Sequence, residues 1–411
     1  MVTAEGSRTD SGTWTGLLEG VLILDLSMFV AGPFATMILA DLGADVIKIE
    51  PMGGDPVRNS GIGPEIRGEA AQFHTYNRNK KSLCLDLKAT RGRELFYELA
   101  GKADVVFDNF RPGVLERLQL DYQSLREVNP SIICVSLSGF GQDGPWAERP
   151  GYDIIVQALS GTMSLTGHDA ADPAAIPLHF GDTSGGLYAA LTMAAALSHR
   201  DRTGEGRHLE LSLLDCQLAM LGDEVTNLGA TGEVPQPHGA SHPYLVPYTA
   251  FQTQDRPIVI AAVGVEKFFA NLAAAVGKPE LADDPRFRDN RSRIANRNEL
   301  EETLREIFET RTRDAWIETL IEHDVPAAPV LDVAEAMKTP QARHRQMTES
   351  ISLSNGESAR VARSPVRVAG ASSHPLNAAP ERNEHGRKII GDLLGYTEAD
   401  IKLLIDEGAI G

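Results

Sequence analysis

Between residues 21 and 137, short apolar runs alternate with helix-forming spans, and this alternation limits the fold more than any other feature of the chain. Residues 21–26 (VLILDL) predict a buried strand, 33–42 a helix opened by Pro33, and 46–49 a second strand closing on Glu50. Proline suits the start of a helix, where an N–H would lack an intrahelical partner anyway. The unit is a compact βαβ. More strands are predicted at 83–87, 105–107 and 132–137, with helices at 90–100 and 122–128 and a short one running through Arg117. Apolar strands separated by helices imply an α/β fold with a parallel sheet covered by helices. Ligands of such sheets bind at the carboxyl ends of the strands, where residues 27–32, 109–113 and 138–144 fall.

A helix is predicted from Gly151, ending at Gly161, and an Ala-rich one at 187–197. Residues 229–243 are rich in Gly, Pro and His and read as a boundary. Beyond it a hairpin and helices at 267–276, 297–308 and 313–323 describe a small α+β domain. The expected plan is a disordered leader at 1–17, a large domain at 18–228 and the small domain at 229–325. Residues 326–411 then return to complete the large domain.

The chain has 57 acidic and 39 basic residues, a net charge of −18. That balance argues against nucleic acid and anionic membranes as partners. An anionic substrate would need a local basic pocket. Cys84, Cys134 and Cys216 lie far apart in apolar runs, with no metal or disulfide spacing, as free thiols in a reducing cytoplasm would. No apolar run approaches the length of a membrane span.

The chemistry concentrates at Phe180-Gly181-Asp182-Thr183-Ser184-Gly185-Gly186. Thr183 or Ser184 would cap the following helix and place Asp182 at or just before its start. The helix dipole would keep Asp182 ionised, and the glycines would let a substrate approach: the requirements of a carboxylate nucleophile. The plain alternative is a helix cap. Upstream, the βαβ unit closing on Glu50 invites a nicotinamide reading, but residues 27–32 lack the G-x-G-x-x-G fingerprint. A turn of small residues entering a helix still offers N–H groups to an anion. Arg78, Lys80 and Lys81 form either a solvated charge run or a phosphate site.

Seven motifs in order resemble one family: Asp25-Leu26-Ser27 through Ala31-Gly32-Pro33; Leu42-Gly43-Ala44-Asp45-Val46-Ile47-Lys48-Ile49-Glu50; Asn77-Arg78-Asn79-Lys80-Lys81-Ser82; Asn109-Phe110-Arg111-Pro112-Gly113; Gly139-Phe140-Gly141; Gly151-Tyr152-Asp153; and Gly181-Asp182. The chain is similar to the class III coenzyme A transferases, which include formyl-CoA transferase, carnitine CoA-transferase and α-methylacyl-CoA racemase. The resemblance implies a Rossmann-like large domain built from both chain ends, a small domain and an interlocked homodimer. It makes Asp182 the catalytic carboxylate, passing through a mixed anhydride and an aspartyl-CoA thioester. Acyl-CoA and a small carboxylic acid are then the substrates, with no metal and no tightly bound cofactor. Ala31 and Gly32 become the oxyanion donors, with Tyr152 beside the reacting carboxylate. Val30, Asn79, Lys80, Lys81, Asn109, Arg117 and Leu118 become the CoA-binding residues.

Residues 238–251 resemble the succinyl-CoA:dicarboxylate transferases most closely, and Arg58 and His242 are the candidates for a second substrate carboxylate. Val30 stands where the formyl-CoA enzyme has a glutamine, and Gly239-Ala240-Ser241-His242-Pro243-Tyr244 replaces its Gly-rich loop, which weighs against formyl and oxalyl substrates. Tyr152 stands where the racemase has a histidine, and a phenol is a poor base at neutral pH. A racemase or epimerase, a transferase acting on carnitine-like or formyl/oxalyl substrates, a CoA-binding regulatory dimer and a nicotinamide dehydrogenase are the alternatives.

Overall fold

The computed structural model describes residues 16–369 and 375–411. Most of the expected leader, up to residue 15, lies outside them. The chain forms two compact units. The first takes in the described residues up to Thr162, Ala175–Ala230 and His344–Gly411. The second takes in Met163–Ala174 and Thr231–Arg343, so it runs further than 229–325 and includes a segment that chain order assigns to the first.

The first unit is built on six parallel strands: β1 (Leu22–Asp25), β2 (Asp45–Glu50), β3 (Lys80–Cys84), β4 (Val105–Asp108), β5 (Ile133–Ser138) and β6 (His208–Ser212). Their order across the sheet is β3-β2-β1-β4-β5-β6, the order of a Rossmann-like sheet. The order reverses between β1 and β4, where Leu24 pairs with both Ile47 and Val106. Helices α1 (Ala31–Asp41), α2 (Ala71–Tyr76) and α3 (Thr90–Ala100) intervene among the first four strands. Helices α4 (Asp153–Leu159) and α5 (Phe180–Thr203) precede β6, and α6 (Leu213–Met220) follows it.

The period of two along a strand divides the apolar residues between two cores. Leu22, Leu24 and Leu26 join Ile47, Leu83 and Val106 on one face, with α3 and the tail residues Ile389, Ile390, Ile401 and Leu404. Ile23, Val46, Val105 and Phe107 pack on the other, against α1 and α5. Each fully buried Leu or Ile is worth about 1.5–3 kcal/mol. The C-terminal residues thus complete a face of the sheet that the N-terminal residues begin.

Strand β3 begins at Lys80 rather than at residue 83, so Lys80 and Lys81 are strand residues and not a charge run before it. Helix α5 begins at Phe180, not 187, and carries Gly185 and Gly186 in its interior. A Cβ on Gly185 would fall 2.5 Å from Leu213 Cδ2, and one on Gly186 would fall 2.7 Å from the Ala31 carbonyl oxygen. The helical cost of these glycines, about 1 kcal/mol each, is offset by the close approach of α1 and α6 to α5.

The second unit holds a three-stranded antiparallel sheet of β7 (Tyr248–Phe251), β8 (Ile258–Ala261) and β9 (Ala327–Pro329). Helices Glu266–Ala275, Arg297–Phe308 and Arg313–Glu322 cover a core that includes Phe251, Phe269, Leu304, Phe308 and Trp316. A three-stranded sheet with helices against it is an α+β arrangement. Among the described residues no helix is long and apolar enough to cross a membrane.

Candidate active site

Asp182 stands in the first turn of α5, and no side chain of its own segment caps that helix. Thr183 Oγ1 donates back to the His179 carbonyl, and Ser184 Oγ to that of Gly181. The capping group comes from α4: Asp153 Oδ1 accepts the main-chain N–H of Gly181 at 2.7 Å and of Asp182 at 3.1 Å. Gln157, one turn along α4, donates to Asp153 Oδ2 at 2.7 Å and accepts the N–H of Ile176. Gly181 is required here, because a Cβ would meet Gln217 Nε2 at 2.5 Å and Asp153 Oδ1 at 3.0 Å.

This arrangement corrects the expected charge state of Asp182. Burial, with the neighbouring Asp153 carboxylate second, pushes its pKa up to about 7. The positive end of α5 does not hold Asp182 ionised, because Asp153 already occupies the amides there. The glycines around Asp182 likewise serve helix packing.

The turn after β1 enters α1 through Val30, which is 4% exposed and caps the helix without a side-chain bond. The first helical bond runs from Phe34 N to Val30 O. The N–H groups of Ala31 and Gly32 precede it and have no partner among the described residues. Asn109, at the end of β4, pins the turn: its Nδ2 donates to Met28 O at 2.7 Å and its Oδ1 accepts Met28 N at 2.8 Å. A Cβ on Gly186 would fall 2.7 Å from the Ala31 carbonyl oxygen and 3.4 Å from Ala35 N, so the start of α1 packs against the second turn of α5.

Beneath the turn lies a buried ion network. Lys48 Nζ pairs with Asp55 at 2.7 Å and donates to Ser27 O. Lys80 Nζ pairs with Asp25 at 3.0 Å and donates to Pro33 O and Asn77 Oδ1. Burial pushes the Lys80 ammonium down to about 8 against the pull of Asp25. Burial alone would raise Asp25, but Lys80, Lys48 and the Ser27 and Thr36 hydroxyls outweigh it and hold the carboxyl low. Lys80 therefore braces the fold and has no ammonium free for a phosphate.

Arg58 is corrected in the same way. It is 2% exposed, stacks 3.8 Å over the Phe73 ring, and binds Glu50, Glu69 and the Pro380 carbonyl, with no group left for a substrate carboxylate. Asn79 ties Asp41 to Asn377. Lys81 forms a half-exposed pair with Asp45 at 2.7 Å. Arg117 is exposed at the end of the short helix Val114–Leu118, beside Gly113, with no ion pair among the described residues, and Leu118 packs on the core. Tyr152 is 67% exposed and its hydroxyl bonds nothing among the described residues. His242 belongs to the second unit, where Nδ1 accepts the Tyr244 N–H and the ring packs on Tyr244 and Tyr248.

Two elements of the site carried no assigned role in the sequence. Asp153 stands within a quoted motif, where a first-turn acid reads as a dipole partner of its own helix. Asp25 and Lys48 interrupt apolar strands, and a charge in a buried strand must be paired.

The sequence pattern of CoA-transferase family III matches residues 18–386. The chain is 40% identical to the acetyl-CoA:oxalate CoA-transferase of Acetobacter aceti over 91% of its length and 95% of that protein's. It is 35% identical to the succinyl-CoA:glutarate CoA-transferase of Mus musculus, over 97% and 94%. A crystal structure of a CAIB/BAIF family protein from Brucella suis superposes with a TM-score of 0.83 at 37% identity, over 92% of this chain and all of that one.

Proposed function

The chain belongs to CoA-transferase family III, and on that premise we propose that Asp182 is the group that carries the acyl unit and then CoA between two acids. The observation that carries this reading is the setting of Asp182: a partly buried carboxylate in the first turn of α5, its pKa raised to about 7, on the helix whose second turn packs against the start of α1. A carboxylate with a raised pKa is a stronger nucleophile than an ordinary one and is still about half ionised at neutral pH.

The Asp182 carboxylate attacks the donor thioester carbonyl, forming a mixed anhydride and releasing CoA thiolate. The thiolate attacks the aspartyl carbonyl, releasing the donor acid and leaving an aspartyl-CoA thioester. The acceptor carboxylate attacks that thioester, giving a second anhydride and thiolate. Thiolate attack on the acceptor's carbonyl then frees the new acyl-CoA and Asp182. Each step exchanges one activated acyl bond for another. The Ala31 and Gly32 N–H groups supply donors to the oxyanions, and Asn109 and the Lys48 and Lys80 contacts hold their turn in place.

A small dicarboxylate is the acceptor and succinyl-CoA the donor in this reading. The relatives above are named for oxalate and glutarate, both dicarboxylic acids. The 40% identity to an oxalate enzyme speaks against setting oxalate aside on the strength of Val30 and the Gly239–Tyr244 stretch. Tyr152 in place of histidine favours transfer over racemisation. Arg117, exposed on the short helix that follows β4, supplies a cation for the CoA phosphates. Exposed Ile154, Ile155, Leu159, Leu187 and Leu191 on α4 and α5 support a homodimer, which the family resemblance makes interlocked. Three buried free cysteines fit a reducing, cytoplasmic setting.

Incubating the protein with succinyl-CoA and oxalate, glutarate or mesaconate, and following the new acyl-CoA by chromatography, tests this reading. Product with at least one acid, lost in Asp182→Asn, is expected. Undiminished turnover by that variant overturns it.

A further inference from the structure

Tyr76 ends α2, and its backbone is held by buried neighbours. Asn77 bonds the Phe73 carbonyl through both N and Nδ2 and takes the Lys80 ammonium on Oδ1. Arg78 makes two bonds to Asp41. The Tyr76 ring stands edge-on to Phe34 of α1, centroids 6.0 Å apart at 78°. Phe34 in turn lies against Gly186, where a Cβ would meet its Cδ1 at 2.9 Å. Tyr76, Phe34 and Gly186 thus form one contiguous stack that ends a turn from Asp182.

Three other phenols have fixed partners: Tyr97 bonds the Gln119 carbonyl, Tyr122 that of Gly206, and Tyr396 the Glu98 carboxylate. The Tyr76 hydroxyl has none among the described residues, although the residue is half-buried. We propose that the Tyr76 hydroxyl is a catalytic hydrogen-bond donor to the carboxyl group that reacts at Asp182. The role rests on the reading of Asp182 as the nucleophile.

The chemistry of the site calls for such a donor. An acid approaching Asp182 meets two carboxylates, Asp182 and Asp153, and the cations below the turn are engaged in the fold. A neutral O–H eases that approach without forming a charge pair with Asp182. Burial, then the charges of Asp182 and Asp153, keeps the phenol protonated, so it acts only as a donor. Negative charge develops on the carbonyl oxygen of the reacting acyl group at every step of the transfer, and a hydrogen bond that tightens there lowers each barrier without any proton leaving Tyr76.

The test is Tyr76→Phe in the full chain, which keeps the ring on Phe34. Three quantities are read: the rate at which a CoA adduct appears on Asp182 with succinyl-CoA, kcat and KM for transfer, and the thermal midpoint. The adduct rate and kcat should fall about 10- to 100-fold, with KM within about threefold and the midpoint unchanged. Wild-type adduct rate and kcat in the variant, or a change in KM alone, overturn the role of Tyr76 while leaving Asp182 in place. A wild-type chain that forms no adduct on Asp182 overturns both.

Discussion

Asp153 and Asp182 meet at one helix start: the Asp182 N–H donates to Asp153 Oδ1 at 3.1 Å, and the Asp153 charge adds to burial in raising the Asp182 pKa to about 7. One side chain therefore fixes where α5 begins and how readily Asp182 ionises.

Asp153→Asn keeps an acceptor oxygen for the two N–H groups and removes the charge. The pKa of Asp182 then falls, and more of it is ionised at pH 6. The acid limb of kcat/KM against pH, expected near 7 in the wild type, moves lower in this variant by about half a unit or more. An unmoved limb with intact folding would show that Asp153 acts only as a cap.

Asp182 also costs stability when ionised. Its folded pKa lies above the unfolded value of about 3.9, so its contribution is fully present below that value and is lost as pH rises through about 7. Asp182→Asn should melt higher than wild type at pH 8, by the equivalent of about 1–3 kcal/mol. The difference should vanish at pH 4. Paired melting curves at the two pH values check it.

Lys80 and Lys81 are adjacent in sequence and opposite in setting. Lys80→Met leaves Asp25 buried without its nearest cation and should cost about 3–5 kcal/mol in denaturant unfolding. Lys81→Ala breaks an exposed pair and should cost less than about 1 kcal/mol. Full stability in Lys80→Met together with lost CoA affinity would return Lys80 to the phosphate site.

The sheet was legible because burial on both faces leaves continuous apolar runs, and 21–26, 105–107 and 132–137 could be little else. Lys80 was not. The residues that neutralise and solvate it, Asp25, Asn77 and Pro33, arrive from three other stretches, and a local run of cations carries no trace of them. The start of α5 was misplaced for a similar reason. Its cap is 28 residues back in the chain, on another helix, while Gly185 and Gly186 read locally as a break. Asp182 is singled out in the sequence by its own segment as a nucleophile or a cap, and the order of the motifs around it favours the nucleophile. Its raised pKa depends on burial and on Asp153, which the order does not reveal.

The central claim is that Asp182 becomes covalently linked to CoA. Intact-protein mass after mixing the full chain with succinyl-CoA and no acceptor, followed by peptide mapping, tests it directly. The account predicts a CoA-sized increment on the Asp182 peptide, absent in Asp182→Asn and discharged by the acceptor acid. An adduct on another residue, or turnover to a new acyl-CoA with no CoA linked to Asp182 at any time, would contradict it.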